Sequence, residues 1–322
     1  MTVQAETLVV LPASQWRRRA AAHAERVDAW TAPRLERARR GEKHPVDDFL
    51  FTYYPTRPGQ LRRWHPGLGV ALADADELAD DAAYRTVVVD GVTCATADPA
   101  HFARRRDGLA WVEGLVRSTA ERPARLGCFG LHEWAMVYGL EQQEVRHESW
   151  PLRLAPADIR DVVDTQGLHC THYDAFRFFT PDAVPRNDSA PTRAAQPDLD
   201  QPGCLHATMD LYKWTAKYVE LVGSDLVADC FALAREARRL DMEAAPYDLA
   251  ALGYEPVRIE TPEGRAEYVR RQRDLMAASA PLRARTAAAL TAALQTIDAL
   301  APTATQPTSS PTASQFRGRL SG

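Results

Sequence analysis

A chain of 322 residues with 45% apolar and 25% charged side chains can bury a substantial core and is too apolar to be a disordered polymer. Its formal net charge of -4 gives no bulk attraction to nucleic acid or anionic membranes and leaves such contacts to local basic patches. Apolar runs such as Leu8–Ala13 fall far short of the roughly 20 residues that span a bilayer, and no basic stretch followed by a hydrophobic core marks a secretion signal, so a cytoplasmic protein that does not enter membranes is expected.

In chain order, residues 14–40 are rich in Ala, Arg, Glu and Leu and predict a helix, with Ser14 as its cap and an interruption or new start at Pro33. Residues 44–69 mix aromatics with proline and glycine, which limits them to short turns. Their aromatics, Phe49, Phe51, Tyr53, Tyr54 and Trp64, suit packing of a connection against the core, or the wall of a pocket. Two β-branched runs flanking Asp90-Gly91 predict a hairpin over 84–96, because that dipeptide tolerates the positive φ of a tight turn. A helix over 99–119 follows from Leu109, Val112 and Val116 at three- and four-residue spacing.

From Gly127 the chain becomes dense in His, aromatic and acidic residues. GCFGLHEWAMVYGL contains a short helix, and Pro156 opens another. HCTHYDAFRFF (169–179) predicts a strand from its Thr and aromatic content. Residues 180–203, rich in Pro, Asp and Ala, form a long loop of the kind that serves as a lid or stays mobile. Helices are predicted over 206–222, over 224–240 with Ser224 as cap, and over 262–300, as one or two helices with Thr261 as cap. The last 22 residues (301–322) are a low-complexity tail expected to be disordered. The resulting fold class is α+β, predominantly helical, with a small antiparallel sheet from the 84–96 hairpin and the segments around Arg153 and Thr171. Residues 1–300 are expected to make one large globular domain, with 1–122 a subdomain and 123–300 carrying the site as the alternative subdivision.

The five cysteines are widely spaced and contain no CxxC, which favours reduced thiols. No GxSxG, P-loop or dinucleotide-binding glycine pattern is present. His132, His147, His169, His172, His206 and His65 stand among Glu133, Glu148, Asp174 and Asp210, and imidazole with carboxylate is the usual ligand set of zinc or non-haem iron. His132-Glu133 starts like HExxH, but position 136 is Met, so that motif is absent. His206 and Asp210 share a helix face.

The stretches GLHEWAMVYG, RHESWPLRL, THYDAFRFF, QPGCLHATMDLYKW and LVADCFALAREARRLDMEAAPYDL resemble actinobacterial proteins identified as 3-methyladenine DNA glycosylases, over about residues 123–270. The glycine-rich hairpin of the better understood helical base-excision enzymes has no clear counterpart here. The resemblance implies a cofactor-free N-glycosidic hydrolase that releases an alkylated nucleobase from DNA or a smaller nucleotide. Such chemistry needs aromatics against the base and a carboxylate beside the electron-poor sugar. Asp241, Asp174, Asp210 and His147 are the catalytic candidates it implies, with His132, Trp134, Tyr138, Arg146, Trp150, Tyr173, Arg177 and Trp214 as contacts to the base, nucleoside or phosphate. Two alternatives stay open: a His/carboxylate metalloenzyme using His132, His147, His169, His172 and His206 on a small aromatic or amino-acid-like metabolite, and a non-catalytic small-molecule-binding protein.

Overall fold

The computed structural model describes residues 8–145 and 150–300. Arg146 and His147, and the tail expected at 301–322, lie outside the described residues. Helix dominates, and a small sheet sits beside it, as the α+β expectation requires.

The sheet is mixed rather than antiparallel, and its order is β1-β2-β4-β3. The hairpin of β3 (Tyr84–Val89) and β4 (Val92–Ala97) forms as predicted, with Asp90 at φ 50° and Gly91 at φ 79° in its turn. The other two strands are β1 (Val9–Leu11) and β2 (Val70–Ala73); β2 pairs antiparallel with β4 and parallel with β1. The segments around Arg153 and Thr171 do not join this sheet. They contribute single bridges only, Leu152 with Tyr247 and Leu168 with Asn187. Residues 169–179 are an irregular stretch followed by the helical turn α8 (Tyr173–Phe176), so the predicted strand is absent. Tertiary bonds override local propensity here: Cys170 N–H donates to Asn187 Oδ1, and the His172 ring is tied to Asp200.

Helix α1 (Ala13–Arg39) follows Pro12 without a side-chain cap and runs unbroken through Pro33. Ser14 is therefore inside the helix. Two short helices, α2 (Phe49–Tyr53) and α3 (Pro58–Arg62), occupy the aromatic-rich connection, as its composition dictates. Phe51 and Trp30 both pack against Phe231, with ring centroids 5.2 and 5.1 Å away. Beyond the sheet come α4 (Pro99–Phe102), α5 (Arg106–Glu121), α6 (Leu131–Ala135) and α7 (Pro156–Gln166). The stretch 180–203 is not a single irregular loop. It contains α9 (Gln196–Leu199), and Gln196, Asp200 and Gln201 are all buried.

The core helices are α10 (Leu205–Lys217), the short α11 (Val219–Val222) and α12 (Ser224–Glu243). Gly223, not Ser224, precedes α12. The Ser224 hydroxyl instead accepts from His65 N–H and donates to Arg63 C=O. Gly67 and Gly223 meet backbone to backbone at this seam: a Cβ on Gly223 would lie 3.1 Å from Pro66 O, and both residues have positive φ. Residues 262–300 make one helix, α13 (Pro262–Leu300), with Pro281 inside it. Thr261 caps it, its Oγ1 accepting from Gly264 N–H at 3.0 Å. A continuous apolar cluster runs from Leu11 to Ile297.

Candidate metal centre

Helices α6, α8, α10 and α12 and the residue before α8 bring six of the singled-out residues together inside this core. His132, His206 and Asp241 form one group, and His172, Asp174 and Asp210 form another; in each, one ligand atom per residue lies within 4.8 Å of the others. The His206 ring links them, 4.4 Å from His132 and 5.5 Å from His172 between centroids.

In the first group His132 Nε2–H donates to Asp241 Oδ1 at 2.6 Å, and Arg238 donates to Asp241 Oδ2 at 2.6 Å and to Glu133 Oε1 at 2.7 Å. The Arg238 guanidinium also lies 3.8 Å from the centroid of the Phe49 ring. Burial alone would depress the His132 pKa, but the Asp241 carboxylate outweighs it and holds the imidazole well above its ordinary value. Burial would likewise raise Asp241, yet His132 and Arg238 bring it below the usual carboxylate range. His206 has no such carboxylate bond. Burial, and then the charge of His132, push it well below the ordinary histidine value, which leaves a neutral ring with a lone pair to offer. No hydrogen bond holds the His206 ring among the described residues.

In the second group His172 Nδ1–H donates to Asp200 Oδ1 at 2.9 Å, and Asp200 is itself held by Gln196 Nε2–H at 2.9 Å. The opposite nitrogen, His172 Nε2, is buried without a hydrogen-bond partner, 3.8 Å from Asp210 Oδ2. Tyr54 O–H donates to Asp210 Oδ1 at 2.9 Å. Lys213 Nζ donates to Asp174 Oδ2 at 3.0 Å and to Asp210 Oδ2 at 3.2 Å. Burial disfavours the Lys213 charge, but the two carboxylates outweigh it and raise its pKa.

A cavity of about 10 Å³, room for one water molecule, adjoins the first group. His132, His206, Cys128, Cys170, Cys204, Gln201, Gln272 and Tyr268 are among its lining residues. Cys128 Sγ is 3.7 Å from His132 Nδ1. All five cysteines are unpaired, and burial raises the Cys170 and Cys204 thiols far above their ordinary values.

The remaining expected residues are placed elsewhere. Trp134 is buried, donates Nε1–H to Ala244 C=O and carries Arg153 on its ring. The Tyr138 hydroxyl donates to Asp164. Trp214 is buried beside Trp111 and Lys213. Trp150 and Tyr173 are half-buried; Arg193 covers the Tyr173 ring. Arg177 is exposed and pairs with Asp174. His169 is exposed at the cavity, bonded to Asp188, and stands outside both groups. None of these aromatics lines the cavity. Asp200, Lys213, Arg238 and Tyr54 were not foreseen as partners of the centre.

No protein-family model, curated protein or solved structure matches this chain.

Proposed function

We propose that this chain is a metal-dependent enzyme whose divalent ion is held by His132, His206 and Asp241. The observation that carries this reading is the convergence of two imidazoles and one carboxylate from three helices, all buried, beside a water-sized cavity. Two nitrogens and one oxygen with positions left open suit ferrous iron or zinc. A bound ion would take the place of the proton that His132 and Asp241 share, and their 2.6 Å contact would have to open slightly to admit it. Charge supports the same reading. Glu133, Asp174, Asp200, Asp210 and Asp241 are all buried, and the cations that face them are Arg238, Arg283, the largely buried Lys213 and the exposed Arg177. A protonated histidine or a bound cation adds to that countercharge.

A divalent ion at this place supplies Lewis acidity and lowers the pKa of a coordinated water. Arg238 fixes the distal Asp241 oxygen, and the cavity limits access to water or the tip of a small metabolite. Release of an alkylated base draws its support from the family resemblance. In the structure both oxygens of Asp241, its leading carboxylate, are engaged by His132 and Arg238.

Elemental analysis of protein purified without a metal-affinity tag or chelator tests the proposal. Wild type should retain zinc or iron, and His206→Ala should lose one equivalent. Equal metal content in the two proteins would remove the metal from this site. Base release from alkylated DNA or nucleosides that persists in metal-stripped protein, and vanishes in Asp241→Asn, would favour the hydrolase instead.

A further inference from the structure

The second group has features that the first does not need. His172 is 1% exposed, and its Nδ1–H is committed to Asp200, itself buried and held by Gln196. A carboxylate behind a histidine in this manner orients the ring of a metal ligand and leaves the far nitrogen for the ion. That far nitrogen, Nε2, has no hydrogen-bond partner; Asp174 Oδ1 makes no hydrogen bond either, although Arg177 stands 3.1 Å from it as an ion pair. An unbonded imidazole nitrogen in the core is costly, and a simple structural histidine would be expected to satisfy it.

Lys213 spends its donors on the two carboxylates and makes no bond to His172 Nε2. Around it, Asp174, Asp200 and Asp210 bring three carboxylates. The cations near them are Lys213, Arg177 on Asp174 Oδ1 at 3.1 Å, the exposed Arg193 at 3.7 Å, and the buried Arg283, whose charge acts on Asp200. The hydroxyl of Tyr54 completes the surroundings of Asp210. A divalent ion equidistant from the three ligand atoms would satisfy the imidazole and both carboxylates together.

We infer that His172, Asp174 and Asp210 form a second divalent-cation site, for which the Lys213 ammonium is the competing occupant. One nitrogen with two carboxylates favours a harder ion than the first site does, manganese or ferrous iron over zinc. The two sites adjoin at the His206 ring and share helix α10, but their ligands do not overlap. The first site can therefore fail while the second stands.

The test is titration of chelator-stripped full-length protein with Mn²⁺, read by calorimetry and by loss of the free-ion electron paramagnetic resonance signal. Asp210→Asn should weaken Mn²⁺ binding at least tenfold and leave the equivalent that His206→Ala removes. Lys213→Met should strengthen binding at least tenfold, because the competing charge is gone; a purely structural lysine would give destabilisation with no gain in affinity. If Asp210→Asn does not fold, the sign of the Lys213→Met effect decides. Mn²⁺ affinity unchanged in both variants would overturn the second site, as would uptake that His206→Ala abolishes and Asp210→Asn leaves intact. Uptake abolished by Asp210→Asn alone would uphold this site and remove the first. No uptake of Mn²⁺, Zn²⁺ or Co²⁺ by wild type would remove both.

Discussion

His65 and His172 are both withdrawn from water, and they carry opposite charge preferences. At the seam between the sheet and α12, His65 Nδ1 meets the Tyr84 hydroxyl at 2.7 Å, and the backbone N–H of His65 donates to Ser224 Oγ. Burial, helped by Arg63, brings its pKa down to about 4. At the centre, burial acts on His172 in the same direction, but Asp200 and Asp210 outweigh it and raise its pKa. Countercharge, not depth, decides the state of a buried imidazole. A phenol makes a neutral strut for the ring, whereas carboxylates make a place for positive charge, whether proton, ammonium or metal.

The largest effect that would break this contrast is loss of the countercharge itself. Arg238→Met should leave Glu133 and Asp241 buried without their guanidinium and cost about 3–5 kcal/mol. Denaturant unfolding at neutral pH measures it, and a loss under about 1 kcal/mol would mean that His132 alone neutralises the pair.

The pH dependence of the seam comes next. A histidine whose folded pKa lies below its unfolded value binds more protons when unfolded. Stability at His65 is thus full above about 6.5 and drains as pH falls toward about 4. That interval corresponds to about 3 kcal/mol. Urea midpoints from pH 8 to 4 should fall less steeply for His65→Gln than for wild type. Parallel curves would show that the acid sensitivity arises elsewhere.

Tyr54→Phe removes a single hydroxyl that donates to the buried Asp210 carboxylate. Hydrogen bonds to charged groups are worth about 1.5–3 kcal/mol, so a loss of about 2 kcal/mol is expected in chemical denaturation. A neutral result would mean that Lys213 satisfies Asp210 unaided. The smallest change, about 1 kcal/mol, is expected for Thr261→Ala at the start of α13, read from the thermal midpoint. It serves as the reference for an ordinary cap far from either histidine.

The residues of the centre were legible one at a time. Asp174, Asp210, Asp241, His132, His172 and His206 each stand in a polar, aromatic stretch, but the contacts that pair them span up to 109 positions and leave no local pattern. Asp200 was hidden in a proline-rich segment that reads as a loop, although it is buried. Lys213 carried a usable signal: it is one of only three lysines, with Lys43 and Lys217, in a chain whose other basic residues are arginine. The hairpin was readable because Asp90-Gly91 fixes its turn by itself. Strands β1 and β2, at three and four residues, are too short for periodicity to register. The 169–179 segment misled because Thr and aromatic side chains suit a strand equally well when, as here, they serve a folded-back loop.

Pro281 has a further consequence for the centre. Its ring nitrogen cannot donate to the carbonyl of Ala277, so α13 lacks one rung of its ladder. On one side of that gap Tyr268 and Gln272 line the cavity. On the other, Thr291 and Asp298 fasten the helix to α5 through Glu113 and Arg106. The missing rung thus divides the long helix into a stretch that walls the cavity and a stretch that is fastened to α5.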